Sequence, residues 1–450
     1  MFRASLLYAF IVLPELMFGQ TTLPFKFPAA THAQTPQAGQ PSSGTAQTAP
    51  APTGQNQAPT LITIDEAISL ALANNPSLKA TRTQIQQNQA QEVTANLRPN
   101  PTLSWDGQFF PLFNPSTLTF DNLQFDLGVG YLFERGGKRQ NRLRAARDQT
   151  SVTQAQVSDA ERTLTFNVAQ QFINALLANS NLDLAQQDLK SFQQTVDISA
   201  QRYKAGDISE GDYLKITLQL LQFQTDVSSA QVAKVQALGS LRQLLGYQSV
   251  PRSYDVAGDL TFQPLKSGLM DLQAAALRQR PDLLAAQKGI GAAQSQISLA
   301  KADAKQDLTA SIDYSRAAGL NTASVFFSIP LPIFNRNQGE IARTRFALTQ
   351  AELTEKSNED TVMTDVVNAF ESAKTNQEVV QLYLSGYLKQ AQDSRDISEY
   401  AYKGGAATLL DFLDSERSYR ATQLAYRQAL AAYMLSLEQL RQAVGSRSLP

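Results

Sequence analysis

The stretches "YKAGDISEGDYLK" at Tyr203–Lys215 and "YKGGAATLLDFLD" at Tyr402–Asp414 spell nearly the same turn 199 residues apart. Each reads Tyr-Lys-x-Gly, at Gly206 and Gly405, with an aspartate six residues after the glycine, at Asp212 and Asp411. Glycine suits the left-handed position that ends a helix. Ser209 to Asp212 and Thr408 to Asp411 read as capping boxes that start the next one. The motif therefore predicts the tip of an antiparallel helical hairpin, made twice. Capping free backbone N–H groups is one role for Asp212 and Asp411, and a role at a site is the other. Capping does not account for Asp414, which lies one turn beyond Asp411 on the same helix face, where the first copy has Lys215.

The duplication spreads outward from the tips. "ITIDEAISLALANNP", ending at Pro76, aligns with "GLMDLQAAALRQRP", ending at Pro281, and "LRQLLG" from Leu241 matches "LRQAVG" from Leu440. Two structural repeats are expected, at 61–250 and 265–447, joined by a segment at 251–264. Between Lys138 and Arg202 there is neither Pro nor Gly. At 1.5 Å per residue such a run makes a helix of roughly 100 Å. Leu182, Ala185, Leu189, Phe192, Val196, Ser199 and Tyr203 keep three-four spacing, and Tyr213, Ile216, Leu220, Phe223, Val227 and Ala230 continue it past the turn. This is coiled-coil spacing on both arms. The last helix shows the seven-residue step at Phe412, Tyr419, Tyr426, Tyr433 and Leu440.

Ahead of each long helical run the hydrophobic period changes to two. Leu123, Phe125, Leu127, Val129, Tyr131 and Phe133 alternate with mostly polar or small residues, as do Leu103, Trp105 and Phe109 before them, with a Pro/Asn-rich loop around Pro111 to Pro115 between. Leu308, Ala310, Ile312 and Tyr314 repeat the pattern, followed by Val325, Phe327, Ile329, Leu331 and Ile333. Four strands are expected, at about 101–111, 122–133, 307–317 and 323–334. Strands of roughly 9 to 11 residues with one apolar face suit a tilted transmembrane barrel. Four strands alone would leave open edges in hydrocarbon, where unpaired backbone groups are very costly. Either the chain oligomerises to close a barrel or the strands edge a small soluble sandwich. Their matching places in the two repeats favour the barrel, and Trp105, Phe109, Phe110, Phe120, Tyr131, Phe133 and Phe327 supply aromatics for interfacial girdles.

Composition narrows the functions. With 39 basic and 40 acidic residues the chain is nearly neutral, so no nucleic-acid partner is expected. It has no cysteine, which removes disulfides, thiolate metal sites and a lipid-anchored N-terminal cysteine. Its one histidine is His32, so a Ser-His-Asp arrangement is missing from the body of the chain. "GGK" at Gly136–Lys138 is too short for a phosphate-binding loop and marks a strand-to-helix exit instead. The five methionines form no soft-metal relay. No catalytic residues, no metal ligands and no cofactor are expected. Residues 1–33 read as a signal peptide, with "THA" before Gln34 as the exit, and 34–60 as a Pro/Gln/Ala-rich disordered leader.

Taken together, the twin repeats, the two strand hairpins, the paired tips and "LPIFNRNQGEI" from Leu331 resemble the TolC-like outer-membrane efflux channels over essentially all of 61–447. "IFNRNQG" leans toward the CzcC-like branch that exports heavy-metal cations. The resemblance implies a mainly α chain with a membrane β-hairpin pair. Three copies would close one twelve-stranded barrel in the bacterial outer membrane, continued by a helical tunnel through the periplasm, with 251–264 in its equatorial belt. It implies a passive gated conduit in a tripartite system, with a periplasmic adaptor and an inner-membrane pump of the RND type. In that family the tips form the closed entrance. By position Asp411 and Asp414 would form the constriction, and Gly211, Asp212 and Tyr402 would fall at contacts between tips. Ala407 stands where the archetypal member has an Arg that ties the tip shut. Six carboxylates around one axis would repel, raise some of their pKa values and attract cations. A periplasmic coiled-coil adaptor or scaffold without a pore is the alternative. It would share the heptads and need no strand hairpins.

Overall fold

The computed structural model describes residues 59–108, 119, 123–317 and 319–449. The expected signal peptide, most of the leader, His32, the loop around Pro111 to Pro115, and Phe109, Phe110 and Phe120 lie outside the described residues. Thr60, expected to end the leader, instead opens β1 (Thr60–Ile62), which pairs in parallel with β4 (Tyr254–Val256).

Each repeat starts with two helices meeting at a proline. α1 (Ile64–Asn74) and α2 (Pro76–Ala95) form one pair, and α5 (Leu269–Gln279) and α6 (Pro281–Asp303) the other. Proline is tolerated at the first helical position because its missing N–H has no partner there in any case. The residue before each proline docks the pair onto the end of its repeat. Asn75 donates to the Leu244 carbonyl at 2.9 Å, and Arg280, only 4% exposed, reaches the equivalent Ala443 carbonyl at 3.4 Å.

α3 (Lys138–Ala205) runs unbroken for 68 residues and turns back into α4 (Glu210–Leu245). In the second repeat α7 (Gln338–Leu382) passes through a five-residue π turn, Tyr383–Tyr387, into α8 (Leu388–Lys403), which turns into α9 (Leu409–Val444). Gly386 breaks the helix there with φ 139° and ψ −17°. Nothing in the coiled-coil spacing announces this break, since the turn buries none of its residues.

The predicted heptad positions Phe192, Val196, Ile216, Phe223 and Phe412 fall in one core near the tips, and two further cores are built almost wholly from other residues. Ile68, Leu78, Phe172, Leu241 and Leu245 cluster in the first repeat, and Leu272, Val362, Val366, Leu440 and Val444 in the second. The connector between repeats binds both. Asp255 takes Lys234 at 2.6 Å and Asn179 at 2.7 Å, while Leu260 and Phe262 pack on Val380, Leu430 and Tyr433.

β2 (Thr102–Gln108), β3 (Gln124–Phe133), β5 (Leu308–Ala317) and β6 (Leu320–Ser328) make one antiparallel sheet in that order. The last strand begins and ends earlier than the expected 323–334. Pro330 and Pro332 have no N–H to give a ladder, so Ile329 to Ile333 continue the alternation without being strand. The register sets Leu103, Val129, Ile312 and Val325 in one apolar row and Trp105, Leu127, Tyr314 and Ala323 in the next. The large members of both rows are exposed, Leu103 at 73% and Trp105 at 69%. On the other face run Ser104, Gly128, Asp313 and Ser324, beside Asp106, Asp126, Ser315 and Thr322.

A side chain at Gly128 would crowd the ends of two neighbouring side chains, which would have to move aside. A Cβ there would lie 1.8 Å from Asp313 Oδ1 and 2.6 Å from Ser104 Oγ. Gly128→Ala is expected to destabilise the sheet by about 1–3 kcal/mol, and adding Asp313→Ala to recover most of the loss. Thermal unfolding of the three proteins checks this, and equal melting of the single variant and the parent contradicts it.

Candidate functional site

Both tips are built as their glycines dictate. Gly206 (φ 85°) and Gly405 (φ 77°) take the left-handed conformation, and Asp207 N–H and Ala406 N–H close the helix ends on the Arg202 and Ala401 carbonyls at 2.9 and 2.8 Å. At the second tip the capping box is complete. Thr408 Oγ1 accepts from Asp411 N–H at 3.2 Å, and the Asp411 carboxylate accepts from Thr408 N–H at 3.3 Å and its hydroxyl at 2.6 Å. The first tip has half a box. Ser209 Oγ accepts from Asp212 N–H at 3.1 Å, but the Asp212 carboxylate takes the Ser209 hydroxyl at 2.9 Å and Lys215 at 3.5 Å rather than the backbone.

The sequence-predicted residues therefore separate. Asp411 and Asp414 are exposed on α9, on the side away from buried Leu409 and Phe412. Asp414 pairs with Arg417 at 4.0 Å, both side chains more than 70% exposed, which is worth little in energy. Gly211 and Asp212 stay within the first tip, beside Ser209 and Lys215. Tyr402 is buried and lies against the first repeat. Its hydroxyl meets Ser199 Oγ at 3.2 Å, and its ring stacks on Phe412 at 5.3 Å.

The residue that joins the tips was not singled out from sequence. Arg202 donates to the Tyr402 carbonyl at 2.6 Å, with its guanidinium 5.4 Å from the Tyr402 ring centroid. Its signal was available as a difference between repeats, since Ala401 occupies the equivalent position. Arg202 thus supplies a cationic tie in a chain whose position 407 is alanine.

Behind this tie Phe192, Val196, Ile216, Phe223, Tyr402, Leu409 and Phe412 form one apolar cluster drawn from both repeats. Phe192 stacks on Phe223 at 4.4 Å and lies 6.3 Å from Phe412. Burying each large side chain of this kind contributes about 1.5–3 kcal/mol.

Farther from the tips an ionic network crosses the same contact. Arg395 on α8 donates to Glu416 at 3.0 Å and to Ser191 on α3 at 2.7 Å, and Thr195 on α3 donates to Glu399 at 3.3 Å. Arg420 on α9 reaches Asp188 on α3 at 3.2 Å, pairs closely with Asp226 on α4, and lies 4.2 Å from the Phe223 ring centroid. Burial pushes the Asp188 and Glu416 carboxyls above their ordinary values, against Arg420 and Arg395 respectively. Burial also disfavours the charged forms of Arg395 and Glu399. Their partners outweigh it and hold Arg395 above, and Glu399 below, the ordinary value. Charges so buried hold only as a set, because removing one strands its partner.

Among the described residues no helix is long and apolar enough to cross a membrane, and no group of three or more His, Cys, Asp or Glu could hold a metal ion. What this site can do chemically is hold two helix tips together and present carboxylates beside them.

Comparison with known proteins gives this architecture a family. The family described as "Outer membrane efflux protein" matches residues 67–247 and again 272–446. Cobalt-zinc-cadmium resistance protein CzcC of Cupriavidus metallidurans is 24% identical over 367 residues, 81% of this chain and 85% of that one. Cation efflux system protein CusC of Escherichia coli is 26% identical over 371 residues, 79% of this chain and 80% of that one. A solved structure of CusC superposes with a TM-score of 0.71 at 22% identity, covering 88% of this chain and 96% of that one. The chain belongs to the outer membrane efflux protein family and is the outer-membrane channel of an efflux system.

Proposed function

We propose that three copies of this chain close a single barrel, and that their paired tips form a gate held shut by Arg202 and the ionic network behind it. The sheet carries the first part of this reading. Its apolar rows are exposed on one face, its other face is polar, and β2 and β6 each have one side free of a described strand. Copies of the same sheet satisfy both edges at once, as hydrocarbon demands. A pore-free scaffold gives no reason for such a sheet.

The channel is a passive conduit in this reading, energised by an inner-membrane pump of the RND type through a periplasmic adaptor. Metal cations are the proposed cargo. The support is the names of the two relatives above and the line of Asp106, Asp126 and Asp313 on the polar face, which becomes the lumen wall. Gating belongs to α8 in this account. It follows the π turn at Gly386, its one buried residue is Tyr402, and apart from that residue its ties to α3 are few and polar. Three copies bring three pairs of Asp411 and Asp414 around one axis. Their exposure in the single chain leaves them available for that ring.

Single-channel conductance in a planar bilayer, with and without millimolar divalent cation, tests the ring. The parent channel is expected to show conductance that divalents block, and Asp411→Asn with Asp414→Asn to conduct without block. Equal block in both would remove these residues from the constriction.

The tie is tested in the same bilayer. Arg202→Gln removes a charged hydrogen bond and is expected to raise open probability about tenfold. Tyr402→Phe leaves the carbonyl acceptor in place, loses the Ser199 contact alone, and should raise it less. A larger effect from Tyr402→Phe than from Arg202→Gln would contradict the assignment.

A further inference from the structure

At the other end of α3, where β3 hands over to the helix, a cleft of about 350 Å³ opens between Arg98 and Pro99 on one side and Tyr131 to Glu134 and Gly137 to Gln140 on the other. One wall is aromatic. Tyr131 and Phe133 meet edge to face at 4.8 Å, and their odd-numbered positions place them on the β3 face that carries the exposed apolar rows. The other wall is cationic. Lys138 is engaged by Asp307 at 2.7 Å, and the Glu134 carboxylate is taken up by Arg142. Among the described residues neither Arg98 nor Arg139 has a hydrogen-bonding, ionic or ring partner. Two guanidiniums are the charge left over in the cleft.

The helix adds to that charge. α3 begins after Gly137, which gives no side-chain cap to the first N–H groups, and its first residues Lys138 to Gln140 line the cleft. The N-terminus of a long helix favours an anion. A guanidinium is also the side chain best shaped to hold phosphate oxygens in pairs.

We propose that this cleft binds an anionic phospholipid of the periplasm-facing leaflet, its phosphate diester on Arg98, Arg139 and the start of α3, and its acyl chains along Tyr131 and Phe133. The inference rests on the reading that β2, β3, β5 and β6 span the outer membrane. Two walls of opposite chemistry meet at the level where strands end and helices begin. That is where lipid changes from tail to headgroup, and where aromatic and basic residues both gain from the interface. A free phosphate uses the cationic wall and leaves the aromatic one bare.

Native mass spectrometry of the assembly recovered from lipid nanodiscs tests this. Phosphatidylglycerol is offered against phosphatidylcholine, to the parent, to Arg98→Gln with Arg139→Gln, and to a charge-matched control, Lys356→Gln with Lys374→Gln. The parent is expected to retain phosphatidylglycerol over phosphatidylcholine. The Arg98/Arg139 variant should lose about tenfold of that retention, and the control should keep it. Equal retention in the Arg98/Arg139 variant, or equal retention of the two lipids by the parent, overturns the site. So does displacement of the lipid by equimolar glycerol phosphate, which would show a headgroup-only anion site. The two parent experiments decide the matter even if the variant does not fold. A parent that fails to enter nanodiscs overturns the membrane-spanning reading, and this site with it. Failure of the site alone shows only in protein that has entered them.

Discussion

An unbroken ladder of backbone hydrogen bonds, from Gly137 to Gly206, is the constraint on which the rest of the chain depends. At 1.5 Å per residue, the 68 residues of α3 make one stiff element roughly 100 Å long, linking the sheet to the tips. Its left-handed glycines fix both ends, and it lends core residues to the first repeat around its middle and to the tip cluster near its far end. α4 lies back along it. The second repeat packs α6 along it and, nearer the tips, leans on it through contacts of two kinds, the aromatic stack at Phe192 and the buried charges at Asp188, Arg395, Glu416 and Arg420.

The second repeat copies this plan and departs from it at one place. α7 and α8 occupy the length that α3 spans alone, but Gly386 interrupts their ladder, and α8 beyond it buries only Tyr402. A coiled coil whose partner is bent and sparsely packed is the arm with less to lose on moving. The difference between the repeats therefore carries the gating account, while their likeness carries the architecture. Arg202 opposite Ala401, and Asp414 opposite Lys215, are further positions where the copies diverge, and both fall at the tips.

Most of the architecture was legible because period and punctuation agree. The seven-residue step lands on Phe412, Tyr433 and Leu440, each 1% exposed or less, and on half-buried Tyr419 and Tyr426, and the glycines at 206 and 405 stand where the helices turn. Alternation located the sheet but overran its last strand, since side-chain pattern says nothing of the missing N–H groups at Pro330 and Pro332. The short β1–β4 pair was not legible either, because three-residue strands carry no period and form only when tertiary contacts bring them together. At the tips both capping boxes were legible, although only Thr408–Asp411 closes in full, whereas the cationic tie, with alanine at 407, was left unassigned. It sits across the motif at Arg202, a residue whose role depends on a neighbour 200 positions away.

In the gating proposed above, α8 parts from α3 when the channel opens. Because the chain has no cysteine, Thr195→Cys and Glu399→Cys place the only two thiols of each chain on facing helices, at positions whose native side chains are 3.3 Å apart. A reducible bis-methanethiosulfonate linker can then bridge them in the Arg202→Gln background during a bilayer recording. With α8 tied to α3, linked channels are expected to fall silent and reductant to restore their openings. Linked channels that open as often as unlinked ones would contradict that gating.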